Sequence, residues 1–308
     1  MSPPAAAPGA SRQALAAGIG CYLLWSAMPV LFLVMGRAGA SPWEILAQRV
    51  IWSLPCAAAL VLAAGQTRQV LEVFSRPRVL GALALTAALI TVNWAVYVWA
   101  VTNGRNLEAS LGYFINPLLA MVAGAVVFRE PLHVLGWVAI GLATIGVVVQ
   151  AVALGHPPYI SLALATAFCS YGVLRKQIDA EAQTGLFVEC ALLVLPGVAL
   201  QWWLARHGPV MAGSSLGATL LLAVAGPMTV VPLALFSWAA RRLPFSIIGF
   251  LQFIVPSVGF AVGVATGEPL TPMRALSFVF IWAGACAFLV GVWRASRALS
   301  KAAVQSAA

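Results

Sequence analysis

Long apolar runs alternate with short polar breaks along the whole chain. A helix rises about 1.5 Å per residue, so about 20 apolar residues cross the hydrocarbon core of a bilayer. Most breaks are short and contain charged residues, Gly or Pro, which leaves no room for a soluble domain. The pattern predicts an all-α integral membrane protein with ten transmembrane helices, over residues 13–35, 43–64, 78–102, 107–128, 132–153, 157–174, 185–205, 217–240, 245–266 and 272–293.

Composition supports a membrane protein and excludes several other classes. Apolar residues make up 62% of the chain and charged residues 8%, against about 25% charged in an average soluble domain. This excludes a cytosolic enzyme, a disordered protein and a secreted disulfide scaffold, and a β-barrel would alternate apolar and polar residues. The five Cys lie inside apolar runs without CxxC spacing and the three His are scattered, so we expect no metal site.

The first apolar run has two interpretations, a secretory signal or a retained helix. Only Arg12 precedes the run in the way that a basic signal-peptide region would. The run is longer than the roughly 7–15 apolar residues of a typical signal peptide. A retained first helix is therefore the favoured interpretation.

The basic residues divide unequally between alternate breaks. One set of breaks and tails contains twelve Lys or Arg: Arg12, Arg68, Arg76, Arg78, Arg129, Arg175, Lys176, Arg241, Arg242, Arg294, Arg297 and Lys301. The other set contains four: Arg37, Arg105, Arg206 and Arg274. Because Lys and Arg accumulate in cytoplasmic loops, both tails, 1–12 and 294–308, are predicted to be cytoplasmic. The net charge of +9 is not gathered on one face, so no nucleic-acid partner is expected.

An internal repeat divides the chain into residues 13–153 and 157–293. Aligning Pro117 with Pro256 brings Ala120 onto Gly259 and Gly124 onto Gly263, and the Glu-Pro-Leu triplets at 130–132 and 268–270 then fall one residue apart. Each half holds five predicted helices, and five is odd, so the second half enters the membrane inverted. Inverted repeats are typical of secondary transporters, whose binding site lies near the midplane between the repeats.

Motifs in both halves of the chain form one recognisable pattern. The most specific match is the run from Glu108 to Leu118, which reads EASLGYFINPL. Further matches are Asn93-Trp94, Trp99-Ala100-Val101, Asn103, Glu44 with Arg49 and Trp52-Ser53, Thr229 with Pro232-Leu233 and Phe236, and Gly249 to Gln252 with Pro256. Together these residues resemble the RarD branch of EamA-type permeases, in the drug/metabolite transporter superfamily. Cys190, Phe253 and Ser257 depart from the pattern of that branch, where Thr, Tyr and Thr are expected.

The resemblance implies a ten-helix permease of the inner membrane, built from two five-helix repeats. Relatives in the superfamily move amino acids, nucleotide sugars, metabolites or drugs. The resemblance therefore indicates the class of the protein and leaves its substrate and coupling ion open.

Three charged residues are candidates for charge or proton coupling. Arg49 lies inside the second predicted helix, where a charge is costly unless it faces the bundle interior or water. Glu44 is a poor partner within that helix, about 140° away around the axis, so a residue of another helix such as Glu108 is expected. The alternative is that Arg49 extends outward to the lipid headgroups. Glu189 is the best candidate for proton coupling, and for Glu189 and Glu108 the alternative is a water-exposed carboxylate at a helix start.

Polar and aromatic residues at lipid depth are candidates for substrate binding. They are Trp25, Asn93, Trp94, Tyr113, Asn116, Thr229 and Gln252. The amides can hold a polar solute and the rings can line a cavity for an amphipathic one. The alternatives are hydrogen bonds that tie helices together and aromatic side chains at the membrane interface.

Prolines and glycines at matching positions are candidates for hinges and packing. Pro117 and Pro256 each free a backbone carbonyl one turn earlier, so breaks are expected at these matching positions. In the two Glu-Pro-Leu triplets, the proline is expected to start the next helix and the carboxylate to lie at the positive end of that helix. Gly124, Gly259 and Gly263 belong to small-residue stripes that let helices approach closely, either between the two halves or between two protomers of a homodimer.

These features favour a carrier that exports a small metabolite or amphipathic drug-like solute by alternating access, driven by an ion or by the gradient of the solute. Its expected partners are the solute and the bilayer, and no cofactor is expected. Direct use of ATP is not expected because the chain has no GxxxxGK[ST] sequence. The alternatives are an intramembrane lipid-modifying enzyme and a structural or sensory subunit. We further expect Glu189→Gln to abolish proton coupling and leave folding intact.

Overall fold

The described part of the chain is helical throughout. A computed structural model describes residues 8–265 and 271–307, and the elements in these ranges are α-helices. In chain order they are α1 (Pro8–Arg37), α2 (Pro42–Ala63), α3 (Thr67–Phe74), α4 (Pro77–Thr102), α5 (Asn106–Val126), α6 (Val134–Ala153), α7 (Tyr159–Gln177), α8 (Ala182–His207), α9 (Leu216–Ala223), α10 (Ala225–Ala240), α11 (Phe245–Gln252), α12 (Ile254–Ala265) and α13 (Pro272–Ala307).

Within these ranges, nine segments are long and apolar enough to cross a membrane, so the chain is a multi-pass membrane protein. They match nine of the ten predicted runs. The remaining run, 157–174, forms α7, which is not among the nine. Its buried positions include Ser161, Tyr171 and Arg175, each at most 1% exposed. A helix that buries polar side chains against its neighbours has a lower mean hydropathy than one that faces lipid.

The helices extend beyond the predicted runs most clearly at α1, α3 and α13. α3 occupies a stretch that was expected to be an irregular break, because Val70 and Val73 form a buried apolar face there. α1 begins at Pro8, before the predicted 13, and α13 continues to Ala307, beyond the predicted 293. The two predicted tails are therefore partly helical.

Prolines explain two helix interruptions. α9 ends at Ala223 and α11 ends at Gln252, each four residues before a proline, Pro227 and Pro256. Proline has no N–H to bond the carbonyl four residues earlier, and its ring crowds that carbonyl. Of the two matching proline breaks that were expected, the structure has the one before Pro256, but the one before Pro117 was wrongly predicted; the break before Pro227 was not predicted. Pro117 lies within the continuous helix α5.

The chain separates into two compact units. Unit 1 comprises residues 1–105 and 167–243, of which 8–105 and 167–243 are described. Its helices approach closely at two glycines. A Cβ on Gly197 of α8 would lie 2.8 Å from the Val50 side chain of α2, and a Cβ on Gly226 of α10 would overlap the backbone of Trp52. Small residues thus bring the backbones of α8 and α10 against α2, as is common between membrane helices.

Unit 2 comprises residues 106–166 and 244–308. Its core contains Phe114 and Met121 of α5 and Phe278 and Ile281 of α13. Here too glycines give close packing: a Cβ on Gly146 of α6 would lie 2.7 Å from the Ser277 carbonyl oxygen. Each unit thus combines helices from both halves of the sequence. The division into repeats 13–153 and 157–293 stays a prediction.

Candidate functional site

Glu189 lies in a buried ion-pair cluster in unit 1, with Arg175, Thr86 and Tyr171. Its carboxylate accepts a hydrogen bond from the Thr86 hydroxyl at 2.5 Å and one from the Tyr171 hydroxyl at 3.4 Å. The Arg175 Nε lies 3.6 Å from the Glu189 Oε1. Glu189 is 2% exposed, so it is not the water-exposed carboxylate of the alternative interpretation. The cluster joins α4, α7 and α8.

Arg175 is a functional candidate that sequence analysis missed. It was assigned to a cytoplasmic break, but α7 continues to Gln177 and the Arg175 side chain is buried. The guanidinium donates to the Ala182 carbonyl at 3.0 Å and to the Ser237 hydroxyl at 3.4 Å. Its Nη1 has no hydrogen-bond partner among the described residues. A sequence signal did exist: Gly185 and Glu189 are four residues apart and so share one face of α8.

Gly185 provides the space for this arginine. A Cβ built on Gly185 would overlap the Arg175 guanidinium, with Cζ 2.8 Å away. The guanidinium therefore lies directly against the backbone of α8, one turn before Glu189. The neighbouring Lys176 donates to the carbonyl oxygens of Ala240 at 2.7 Å and Leu243 at 2.5 Å, at the C-terminal end of α10. A cation near those carbonyls stabilises the helix end.

A second buried cation lies in what we call the arginine cluster, formed by Arg49, Trp94, Thr229 and Phe32. The Arg49 guanidinium lies over the Trp94 ring, 4.2 Å from its centroid, and 5.3 Å from the centroid of Phe32. Its Nε donates to the Thr229 hydroxyl at 3.1 Å. The structure thus brings together three residues that the sequence singled out, and adds Phe32. The predicted pairing of Arg49 with Glu108 stays a prediction.

Glu44 has a separate structural role. Its carboxylate accepts the backbone N–H groups of Met211 at 3.1 Å and Ala212 at 2.8 Å. These contacts hold the loop before α9 against the start of α2. They agree with the expectation that Glu44 is not the partner of Arg49.

An aromatic cluster lies between α1, α7 and α10 of unit 1. The half-buried Trp25 packs against Phe168 and Phe236 at centroid distances of 5.5 and 5.8 Å, and Phe236 stacks on Tyr171 at 6.1 Å. Tyr171 also belongs to the ion-pair cluster, so the two clusters are continuous. Asn93, beside Trp94 on α4, is half-buried.

Two buried amide oxygens of unit 2 have no hydrogen-bond partner among the described residues, Asn116 Oδ1 and Gln252 Oε1. α5 and α11 run antiparallel here: a Cβ on Gly124 would lie 2.6 Å from the Ser246 nitrogen, and one on Gly249 would lie 2.8 Å from the Pro117 oxygen. One turn beyond Gly249, this register places Gln252 at the level of Asn116. Asn116 directly precedes Pro117 in α5, and Gln252 is the last residue of α11, four residues before Pro256.

The other candidates of unit 2 have more varied surroundings. The Glu108 side chain is buried and lies 3.9 Å from His156 Nε2, and its carbonyl accepts from Ser161 at 2.6 Å. Tyr113 is 45% exposed. Among the residues that the structure describes, no group of three His, Cys, Asp or Glu is placed to hold a metal ion.

The predicted packing glycines have different environments. Gly124 is buried against α11, where a Cβ would lie 2.7 Å from the Glu130 carboxylate. Gly259 is exposed, and a Cβ there would meet nothing within 4 Å, so its role in a homodimer stays a prediction. Gly263 is helical in α12, and its surroundings lie outside the description. Pro256 is buried.

The first Glu-Pro-Leu triplet caps a different helix from the one expected. The Glu130 carboxylate accepts the backbone N–H groups of Phe245 at 2.5 Å and Ser246 at 2.8 Å, and the Ser246 hydroxyl at 2.8 Å. Glu130 therefore accepts the free backbone N–H groups at the start of α11. The prediction that it lies at the start of the helix that follows it in sequence is wrong. The second triplet, 268–270, lies outside the described residues.

Comparisons with known proteins agree on one family of transporters. Residues 12–151 match the EamA-like transporter family. "Protein RarD" of Streptomyces exfoliatus is 38% identical over 96% of this chain and 94% of its own. An "Uncharacterized transporter" of Vibrio cholerae is 39% identical over 95% and 97%. "Chloramphenicol-sensitive protein RarD" of Pseudomonas aeruginosa is 29% identical over 84% and 87%.

A solved crystal structure supports the same fold. It covers 90% of this chain and 97% of its own, with a TM-score of 0.66 and 18% sequence identity. At that identity the likeness bears on the fold alone. The near full-length relatives bear on the family: this chain belongs to the RarD branch of the EamA-like transporters, which are membrane transporters of the drug/metabolite superfamily.

Proposed function

We propose that the protein is a secondary carrier of a small metabolite or amphipathic solute, coupled to protons through the Arg175–Glu189 pair. The observation that carries this proposal is the burial of both charges, with 0% and 3% of their side chains exposed, at 3.6 Å from each other. Ionisable groups inside membrane proteins are costly and commonly mark ion or proton pathways. A carboxylate that is paired with an arginine can bind and release a proton while its side chain stays in place.

Protonation of Glu189 is the coupling step. It removes the negative charge that faces Arg175 and leaves the guanidinium to Ala182 and Ser237. Arg175 contacts residues of α8 and α10, and Glu189 accepts from α4, so the charge state of the pair changes the contacts between three helices. A ligand or proton drives a conformational change when it binds the two states with different free energies. Carrier action by alternating access needs such a difference.

The proposal includes ten crossings of the inner membrane in two inverted five-helix repeats, with both termini cytoplasmic. α7 is the tenth crossing. Its 19 residues are long enough for a span, and two of its buried polar side chains have protein partners: Arg175 faces Glu189 and Ser237, and Ser161 donates to the Glu108 carbonyl. The unequal distribution of Lys and Arg also requires an even number of crossings, because it predicts that both tails are cytoplasmic.

Transport by the purified protein in liposomes tests the proposal. A defined mixture of amino acids, amines and chloramphenicol is offered with and without an imposed pH gradient, and flux is measured by mass spectrometry. The native protein is expected to move at least one solute faster with the gradient, and Glu189→Gln is expected to lose that response. Glu72→Gln, an exposed carboxylate paired with Arg68, is the matched control and keeps it.

Two results would contradict the proposal. If folded native protein moves no solute of the mixture, the carrier function is contradicted. If Glu189→Gln keeps the response to the gradient, Glu189 is not the coupling group. Folded protein is compared at equal amounts, because the substitution leaves Arg175 without its counter-charge.

A further inference from the structure

The short helix α3 joins two membrane-spanning segments and therefore lies at the surface of the bilayer. α2 ends at Ala63, α3 runs from Thr67 to Phe74, and α4 begins at Pro77. α2 and α4 are both long and apolar enough to cross a membrane, whereas α3 has eight residues. The distribution of Lys and Arg predicts that this end of the two spans is cytoplasmic, on the side where the leaflet carries anionic lipids.

The packing of α3 determines which side of the helix faces outward. Val70 and Val73 are buried, and Val73 belongs to an apolar cluster with residues of α4 and α8. The Gln69 side chain accepts the backbone N–H of Glu181 at 3.2 Å, in the turn between α7 and α8. One side of α3 is thus held against unit 1, and the opposite side is exposed.

The exposed side of α3 combines large apolar side chains with arginines. Leu71 is 70% exposed and Phe74 is 48% exposed. Arg68 and Arg76 precede and follow them in sequence, and Arg78 is exposed at the start of α4. Arg68, Leu71 and Arg76 are among the residues that line an open groove of about 580 Å³ along the helix. Apolar side chains beside basic ones are typical of helices that lie between lipid headgroups and acyl chains.

The ion pairs of Arg68 and Arg76 leave both arginines able to bind a phosphate group. Arg68 Nε lies 3.1 Å from Glu72 Oε1, and Arg76 donates to the carboxylate and the carbonyl of Asp179 at 2.6 and 3.4 Å. Both pairs are exposed, and exposed pairs contribute little stability. A guanidinium has five N–H groups, so each arginine can keep its partner and also donate to a phosphate. Residues 67–78 contain three arginines and one glutamate, so the segment stays positive.

We infer that α3 binds the headgroups of anionic phospholipids. Arg68 and Arg76 contact the lipid phosphate, which a guanidinium matches in two parallel hydrogen bonds. Leu71 and Phe74 lie at the level where the acyl chains begin. This inference goes beyond the carrier proposal and does not depend on it, because it concerns the membrane surface of the protein and not the transported solute.

A fluorescent label one turn before Leu71 tests the inference in the full-length protein. Thr67→Cys, on a chain freed of its five native cysteines, is labelled with nitrobenzoxadiazole and reconstituted in phosphatidylcholine nanodiscs. Increasing fractions of spin-labelled phosphatidylglycerol or spin-labelled phosphatidylcholine are added, and the quenching gives the relative affinity of each lipid near the label. Each arginine near a charged membrane surface raises affinity about five-fold, so we expect phosphatidylglycerol to be preferred by about 10- to 30-fold. High salt should lower this ratio.

Substitutions separate a phosphate site from a structural role of the same arginines. Arg68→Gln/Arg76→Gln is expected to bring the ratio of the two lipid affinities close to one. Asp179→Asn breaks the ion pair of Arg76 but keeps the arginine, so it is the matched control and is expected to keep or raise the ratio. A label on Gly208→Cys, which is exposed beyond the C-terminal end of α8, should respond to neither variant.

Four results would overturn the inference. If neither spin-labelled lipid quenches the label at position 67, α3 does not touch the bilayer, and if both quench it equally, the headgroup charge is not recognised. If folded Arg68→Gln/Arg76→Gln keeps the preference, the arginines do not bind the phosphate, and if Asp179→Asn loses it as well, they act through the ion pair. Loss of the preference on addition of glycerol phosphate at constant ionic strength would assign the groove to a soluble phosphate compound and not to a lipid.

Discussion

Substitution of Glu189 and substitution of Arg175 should lower the free energy of unfolding by unequal amounts. Glu189→Gln leaves a buried guanidinium that cannot lose its charge, which still donates to the Ala182 carbonyl and the Ser237 hydroxyl but no longer faces a negative charge. Removal of one partner of a buried pair typically costs about 3–5 kcal/mol. Arg175→Met leaves the Glu189 carboxyl group, which can bind a proton and keep its hydrogen bond to the Thr86 hydroxyl. The loss of unfolding free energy should therefore be smaller, about 1–3 kcal/mol.

The double variant Arg175→Met/Glu189→Gln removes both charges and should recover much of the loss. We expect the two substitutions to be non-additive by about 1–3 kcal/mol, as for residues in direct contact. The sequence-based expectation that Glu189→Gln leaves folding intact is therefore revised to a folded but destabilised protein. Glu72→Gln at the exposed pair with Arg68 should cost less than about 1 kcal/mol.

Reversible unfolding in mixed micelles with increasing SDS, followed by circular dichroism, measures these free energies. Additive effects of Arg175→Met and Glu189→Gln would refute the reasoning, because two charges that do not interact have independent costs. The reasoning would also fail if Glu189→Gln were as mild as Glu72→Gln. The cycle thus tests the pair independently of any substrate.

Three further substitutions test the packing and the amides. Gly185→Ala pushes a methyl group into the Arg175 guanidinium and should destabilise by about 1–3 kcal/mol, and a neutral result in the same SDS titration would argue against the close contact. Gly249→Ala would place a Cβ 2.7 Å from the Met121 nitrogen and should cost as much, whereas Gly259→Ala, with nothing within 4 Å, should be neutral or slightly stabilising. Equal thermal stabilities of those two variants would contradict the packing. Gln252→Leu removes a buried amide whose oxygen has no partner among the described residues, so it should keep or raise the melting temperature while flux in liposomes falls. Unchanged flux would make Gln252 a structural residue.

The hydrophobic pattern predicted most of the fold. Nine of its ten runs correspond to segments able to span a membrane, because length and apolarity alone decide that property. The missing N–H of proline led to predicted breaks before Pro256 and Pro117, of which only the first is present, and the same reasoning applied to Pro227 would have found the break at Val224. The hydrophobic pattern missed α3 because eight residues with two buried Val are too few for a clear period.

The candidate site was only partly predictable. Arg49, Trp94 and Thr229 were each singled out for being polar or aromatic at lipid depth, but their convergence depends on contacts 45 to 180 positions apart along the chain, which no local pattern shows. Arg175 was missed because a charge beside Lys176 near a helix end is typical of a cytoplasmic loop. Only Gly185, which has no side chain and so leaves space for the guanidinium, distinguishes Arg175 from an arginine in a cytoplasmic loop.

The account depends most on two inverted five-helix repeats, and therefore on ten crossings rather than the nine that mean hydropathy finds in the described residues. Single cysteines at positions 3 and 306 of a chain freed of its five native cysteines, labelled in intact cells with a membrane-impermeant maleimide, measure the side on which each terminus lies. The account predicts that both positions stay unlabelled until the membrane is permeabilised. Labelling of one terminus alone in intact cells would mean an odd number of crossings, in which α7 does not span, and would contradict the inverted repeat.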